Sequence, residues 1–257
     1  MSAADGARNA SVGREGPTLQ TGLKTTNPET KPLGPGPGEG YTGSAPMSRR
    51  RITLAALLAI LLAGVYELCY DAPKGPRTLK AFDPDRTADL EVDMWREYYS
   101  QKNIQLFTDL ATMLHEENRY PWVKAGVAAY HLGRAASSFS ASHTGYELLL
   151  PDLEAAYATA RDWTHADFDP AAVARAELAW WVARRIPARD SPEQVGGLIA
   201  DENALLYGVP RERVLAASIL RARAGRLRDD GGENTDWAAV SDLLHQSYRQ
   251  LHDAVSH

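Results

Sequence analysis

The sequence predicts an all-α protein, a membrane-tethered bundle of about six to seven helices without a sheet. Beyond residue 88, apolar residues recur three and four positions apart, and Gly and Pro fall between these stretches. No run of alternating β-branched residues occurs, so no strand is expected. One continuous apolar stretch precedes the helical region. A short α-solenoid of stacked helix pairs is the alternative arrangement of the same helices.

Composition and charge exclude several classes of protein. The chain has 257 residues, of which 44% are hydrophobic and 24% charged, and a single Cys, so it is neither a collagen nor a disulfide scaffold. The net charge is -5, and residues 89–257 contain 17 Lys and Arg against 25 Asp and Glu. An acidic body repels phosphate backbones, so we expect no nucleic-acid partner.

Residues 1–46 read as a disordered Gly/Pro-rich tail. The run Gly34-Pro35-Gly36-Pro37-Gly38 is the extreme case, and no apolar face is available to offset the entropy of ordering it. The true start could equally be Met47, because Arg49–Arg51 and an apolar run follow it directly, as in an exported or anchored bacterial protein.

Residues 47–70 are predicted to be a signal-anchor transmembrane helix, with residues 52–70 in contact with the bilayer. Ile52 to Tyr66 is apolar apart from Thr53 and Gly64, and three further residues after Glu67 extend the stretch. A cleaved signal peptide, with or without twin-arginine export, and a buried core helix are the alternatives. The three arginines that touch the run place the N-terminus in the cytoplasm and the body outside, in the periplasm. Residues 71–87 then form a Pro-containing spacer.

The body, residues 88–257, divides into seven predicted helices. Asp169-Pro170 provides a cap and first residue for the fourth, and Ser191 to Gln194 has the capping-box spacing for the fifth, which Gly208 ends. Gly126 and Gly133 are expected to let another helix approach the second. The predicted spans are about 88–117, from 121 onward, 151–163, 170–186, 192–208, 210–225 and from 234 or 235 to 255, with residues 229–232 as a loop.

One cluster of residues stands out as a candidate site. Glu177, Trp180, Trp181 and Arg184 lie on one side of the fourth predicted helix, which also has a second apolar side. A carboxylate between packed helices needs a cation or hydrogen-bond donors. Either Arg184 or a neighbouring helix satisfies Glu177 structurally, or Glu177 marks a pocket that orients a ligand. No metal-binding, phosphate-binding or nucleophile motif occurs, so neither a metal nor another cofactor is predicted.

The function that these features favour is a membrane-anchored, extracytoplasmic interaction or scaffold module, with another protein as its partner. The alternative is a helical enzyme or a protein that binds a small ligand or lipid near Glu177, Trp180 and Trp181. A closed core in which Glu177 is paired would favour the first hypothesis. A cavity lined by Glu177 and the two Trp would favour the second.

Overall fold

The computed structural model describes residues 48–256, which are helical apart from their connections and contain no strand. The all-α prediction is confirmed for this range. The predicted disordered tail lies outside the described residues. The helices are α1 Arg49–Tyr70, α2 Pro84–Tyr99, α3 Asn103–Glu116, α4 Trp122–Ala141, α5 Leu150–Thr164, α6 Pro170–Ala183, α7 Pro192–Tyr207, α8 Arg211–Gly231 and α9 Trp237–Val255, with 3₁₀ turns at Tyr146–Leu149 and Gly232–Asn234.

Helix α1 is apolar and buries none of its residues. Its 22 residues extend for about 33 Å at 1.5 Å per residue, about the thickness of a bilayer's hydrocarbon core. By length and composition it is the one described helix that could cross a membrane. A buried core helix, one of the alternatives for this segment, does not agree with this exposure.

Helices α2 to α9 form a closed ring. Each helix packs against the next one along the chain, and α9 returns to pack against α2. The buried apolar residues fall into five clusters, and each of them draws on helices that are neighbours in the ring. Short connections explain the sequential packing, since they leave consecutive helices little freedom to separate. The core is therefore distributed around the ring.

The ring contains eight α-helices, one more than the sequence predicted, because the first predicted helix is two. The chain breaks between Tyr99 and Asn103, where Gln101 has φ 57° in the left-handed region. The apolar residues of the two halves lie on different sides, since α2 packs against α9 and α3 packs against α4. Because these two faces follow each other along the chain, the sequence predicted a single helix over 88–117 that is apolar on several sides.

Helix α8 is longer than predicted and includes residues 229–231, which were expected to form a loop. The Nε of Arg226 donates to Asp230 at 2.8 Å, an i,i+4 pair that extends the helix. Gly225 does not end the helix. A Cβ at that position would lie 3.4 Å from the guanidinium carbon of Arg184, so this glycine makes room for a side chain of α6.

Helix ends were predicted well where a cap preceded a proline. Asp169 accepts from the Ala171 amide at 3.0 Å, and the Ser191 hydroxyl accepts from the Gln194 amide at 3.3 Å. Gly208 ends α7 with φ 62°. The cap of α9 was wrong by one or two residues, because Asp236 accepts from the amides of residues 238 and 239.

Glycines on two helices have opposite roles. A Cβ on Gly196 would lie 2.6 Å from the Ile219 backbone, so glycine permits the close packing of α7 on α8. A Cβ on Gly126 or Gly133 would meet no atom within 4 Å. The close helix approach expected at these two positions of α4 does not occur.

The segment before α2 packs against the ring. Helix α2 begins at Pro84, inside the range predicted as a spacer, and Phe82 is buried. The Arg119 guanidinium donates to the Ala81 carbonyl at 2.7 Å. Arg77 lies over the Trp163 ring, 3.9 Å from its centroid. These contacts leave little free chain between α1 and the ring.

Candidate functional site

The ring surrounds a cavity of about 580 Å³, and every helix from α2 to α9 contributes to its lining. One part of the lining is apolar, with side chains from α3 and α4 that include Leu106, Leu110, Met113 and Leu132. The other part is polar and acidic, with side chains from α2 and from α5 to α9, among them Glu91, Tyr157, Glu177, Glu202, Arg221 and Tyr248. Volumes of this size are typical of small-molecule sites.

All four residues singled out in the sequence line this cavity: Glu177, Trp180, Trp181 and Arg184. Trp180 and Trp181 follow Glu177 by three and four residues, and Arg184, directly after α6, follows them by four and three, so all four share one side. The two indoles meet edge to face, with ring centroids 6.1 Å apart. The sequence pattern therefore located one wall of the cavity.

Arg184 has partners other than Glu177. Its Nη2 donates to Asp229 at 2.7 Å and to the Tyr99 hydroxyl at 3.2 Å, and that hydroxyl donates to Asp229 at 3.0 Å. Arg228 lies against the Tyr99 ring, 3.4 Å from its centroid. This network joins α2, α6 and α8 and balances the charge of Arg184 with Asp229.

Glu177 has a buried carboxyl oxygen, Oε2, without a hydrogen-bond partner among the residues that the structure describes. Burial and, after it, the charge of Glu202 raise the pKa of Glu177 to about 8, although Tyr157 and Arg221 act in the opposite direction. At neutral pH this carboxyl is therefore mainly protonated. A carboxyl that is neutral and faces a cavity can donate or accept a hydrogen bond, and can gain or lose a proton.

Glu202, on α7, is the acidic neighbour of Glu177. Its Oε1 accepts from the Tyr157 hydroxyl at 2.9 Å, and its Oε2 accepts from Trp180 Nε1 at 2.6 Å. Burial raises the pKa of Glu202, but these two donors and the charge of Arg221 favour its ionised form. Of the two carboxyls, Glu202 thus has donors for both of its oxygens among the described residues, whereas Glu177 has a buried oxygen without one.

Arg221 and Glu91 form a buried ion pair beside these two carboxyls. The Nε of Arg221 donates to Glu91 Oε1 at 3.0 Å, the Nη2 donates to the same oxygen at 2.5 Å, and Glu91 is 3% exposed. The guanidinium also lies 5.0 Å from the centroid of the Trp180 ring. Because Glu91 already matches its charge, Arg221 leaves the two other carboxyls without a cation of their own.

Glu91, Tyr157, Glu202, Arg221 and Tyr248 were not singled out in the sequence. For three of them a signal exists, because each charged residue interrupts an apolar helical stripe. Glu202 follows Val195 and Ile199 at helical spacing, and Arg221 follows Val214 and Ala217. Glu91 lies between Ala88 and Trp95 in the same way. A charge at a core position of a helix indicates a buried pair or a site.

Several arginines of α8 pair with acidic residues. Their carboxylate partners lie on α2, on α7, just before α7, and on α8 itself. The pairs are Arg211–Asp201, Arg221–Glu91, Arg223–Glu193, Arg226–Asp190 and Arg226–Asp230. Within residues 48–256, no group of three or more His, Cys, Asp or Glu side chains is arranged to hold a metal ion.

No family model, no curated protein and no solved structure matches this chain. A proposal about its function therefore rests on the chemistry and geometry of the cavity and on the apolar helix that precedes the ring.

Proposed function

We propose that this protein is a membrane-anchored binding protein whose helical ring holds a small, mainly apolar molecule. The observation that carries the proposal is the cavity of about 580 Å³ lined by Glu177, whose buried Oε2 has no hydrogen-bond partner within residues 48–256. An empty cavity of this size lowers stability, and an unpartnered buried carboxyl lowers it further. A ligand that fills the space and binds the carboxyl offsets both costs. We favour this role over the scaffold module that the sequence suggested.

The anchor in this proposal is α1, which would span the bilayer with its arginine-flanked N-terminus in the cytoplasm and the ring in the periplasm. Its exposed apolar surface supports this placement. Chain order then puts the ring close to the membrane surface, because Phe82 is already buried in the ring and few residues separate it from Tyr70.

A second role, contact with a surface outside the ring, is favoured by an apolar stripe on α4. Val123, Val127 and Tyr130 are 48%, 49% and 54% exposed and follow one another at helical spacing. Helix α1 contacts α4. Cys69 is the one partly buried residue of α1. We propose that this stripe rests on the lipid interface beside the anchor.

Ligand binding can be tested with a neutral apolar probe, 1-adamantanol, added to the full chain in lipid nanodiscs. Trp95, Trp180 and Trp181 line the cavity, so occupancy should change the tryptophan fluorescence in a saturable way. Gly133 also lines the cavity and has open space around it, so Gly133→Leu should fill part of the volume and weaken binding.

The matched control is Gly126→Leu, on the same helix, with the same open space but outside the cavity lining. It should bind the probe as the parent chain does. If all three proteins and empty nanodiscs respond alike, the cavity does not bind the probe, and the scaffold role becomes the better proposal.

A further inference from the structure

The charges that line the cavity do not balance. Five carboxyls line it, Glu91, Glu117, Glu177, Glu202 and Asp229, against three guanidinium groups, Arg184, Arg185 and Arg221. Two of the guanidinium groups are matched by carboxylates, Arg184 by Asp229 and Arg221 by Glu91. The polar part of the cavity therefore contains carboxyls in excess.

Glu117 accepts from the Asp83 amide at 2.6 Å and lies near the charge of Arg119, so the excess is concentrated at Glu177 and Glu202. The third guanidinium, Arg185, lies eight residues along the chain from Glu177, about 12 Å at the rise of a helix. It donates to the Ser142 carbonyl at 2.5 Å and to the Tyr146 hydroxyl at 3.2 Å, both in the connection between α4 and α5. Arg221 is the guanidinium that acts on these two carboxyls, and Glu91 already balances its charge.

Three groups on neighbouring helices act on the Glu177 carboxyl. The neighbouring helix α5 presents the Tyr157 hydroxyl, α7 presents Glu202, and α8 presents Arg221, which is occupied by Glu91. Two buried carboxyls so close together cannot both ionise at low cost, and a proton on Glu177 relieves the repulsion. A bound cation would relieve it equally well and would replace that proton.

Aromatic and apolar surfaces next to this acidic pair define the rest of the ligand. Trp180 and Trp181 follow Glu177 by three and four residues, so both indoles lie beside its carboxyl. Indole rings attract organic cations as well as apolar groups. The leucine and methionine side chains of α3 line the remaining volume. A metal ion or a small inorganic cation would leave that apolar volume empty.

We propose that the cavity binds an organic ammonium ion with an apolar body, with Glu177 and Glu202 as its counter-ions and the two indoles beside it. The inference rests on the proposed ligand-binding function and specifies its ligand class. On binding, the ammonium N–H donates to the carboxylates, and the proton held by Glu177 leaves to the solvent. An apolar carboxylic acid should bind weakly, since its negative charge would add to the negative charge of an acidic site.

The test compares three probes of one shape, 1-aminoadamantane, 1-adamantanol and 1-adamantanecarboxylate, titrated calorimetrically into the full chain in lipid nanodiscs near pH 7. We expect the amine to bind at least tenfold more tightly than the alcohol, and the carboxylate to bind most weakly. In buffers of different ionisation enthalpy, the amine should release close to one proton per chain, whereas the alcohol should release none.

Two variants assign the preference to these residues. Glu177→Gln should abolish proton release and reduce the preference for the amine over the alcohol at least tenfold. Glu154→Gln, at an exposed position on α5, should behave as the parent chain does. Cooperative urea unfolding, followed by tryptophan fluorescence, shows that each variant is folded.

The possible failures are distinguishable. If the alcohol binds but the amine binds no more tightly, or binds tightly without dependence on Glu177, the ammonium proposal is wrong and the ligand-binding function stands. If none of the three probes binds, the proposed function itself fails. If the carboxylate binds most tightly, the cavity selects an apolar acid and the assignment of charge is overturned.

Discussion

Replacing Glu177 by Gln removes the titrating group of the acidic pair and keeps its shape, and we expect the change to stabilise the ring at high pH. Among the described residues the carboxyl forms no ion pair and its Oε2 has no hydrogen-bond partner, and burial and Glu202 raise its pKa to about 8. In the folded protein its ionised form is therefore unfavourable. A neutral amide does not have to ionise as the pH rises.

The sign and size of the effect follow from linkage. The pKa of Glu177 is about 8 in the folded chain, compared with 4.5 as its ordinary value, so the folded state holds the proton where the unfolded state has lost it. The free energy of unfolding is thus highest below the ordinary pKa and falls as the pH rises toward 8. Each pKa unit corresponds to about 1.4 kcal/mol. Because Glu177 shares its environment with Glu202, we expect a fall of about 2–4 kcal/mol from pH 5 to pH 9.

The assay is urea unfolding of the full chain in detergent micelles, followed by tryptophan fluorescence at about pH 5 and pH 9. The difference between Glu177→Gln and the parent chain should grow by about 2–4 kcal/mol in favour of the variant between these two pH values. Glu154→Gln, an exposed glutamate on α5, removes the same charge and should show no such growth. A variant that is less stable by about 1–3 kcal/mol at both pH values would refute the reasoning, because it would show that Glu177 is a paired structural carboxylate.

Three other changes test the anchor and the walls of the cavity. The full chain should stay with membranes after carbonate and high-salt washes, and deletion of residues 49–70 should move it to the soluble fraction in a fractionation assay. Trp180→Ala should lower the free energy of unfolding by about 3–5 kcal/mol, since it enlarges a cavity and leaves Glu202 without its indole donor. Gly133→Leu should raise the melting temperature more than Gly126→Leu does, because only the first adds apolar contacts inside the cavity.

Periodicity and caps predicted most of the helices. Apolar residues three and four apart, with a capping residue before proline, predicted α6 and α7 to within a few residues. The same signals failed at Gln101, where a break without Gly or Pro separates α2 from α3. They failed again at Gly225, where the glycine serves packing against Arg184 and does not end α8. Local sequence does not show which neighbour a residue packs against.

The sequence by itself determined that the protein is helical, that one apolar segment precedes the body, and that Glu177 lies beside two indoles on α6. These are properties of single helices, which depend on residue spacing. Only the tertiary structure decided that eight helices close into a ring around a cavity, and that Glu202 lies next to Glu177 while Arg184 pairs with Asp229. The physical reason is that a buried carboxyl takes its pKa and its partners from neighbouring helices, and sequence spacing on one helix carries no information about the others.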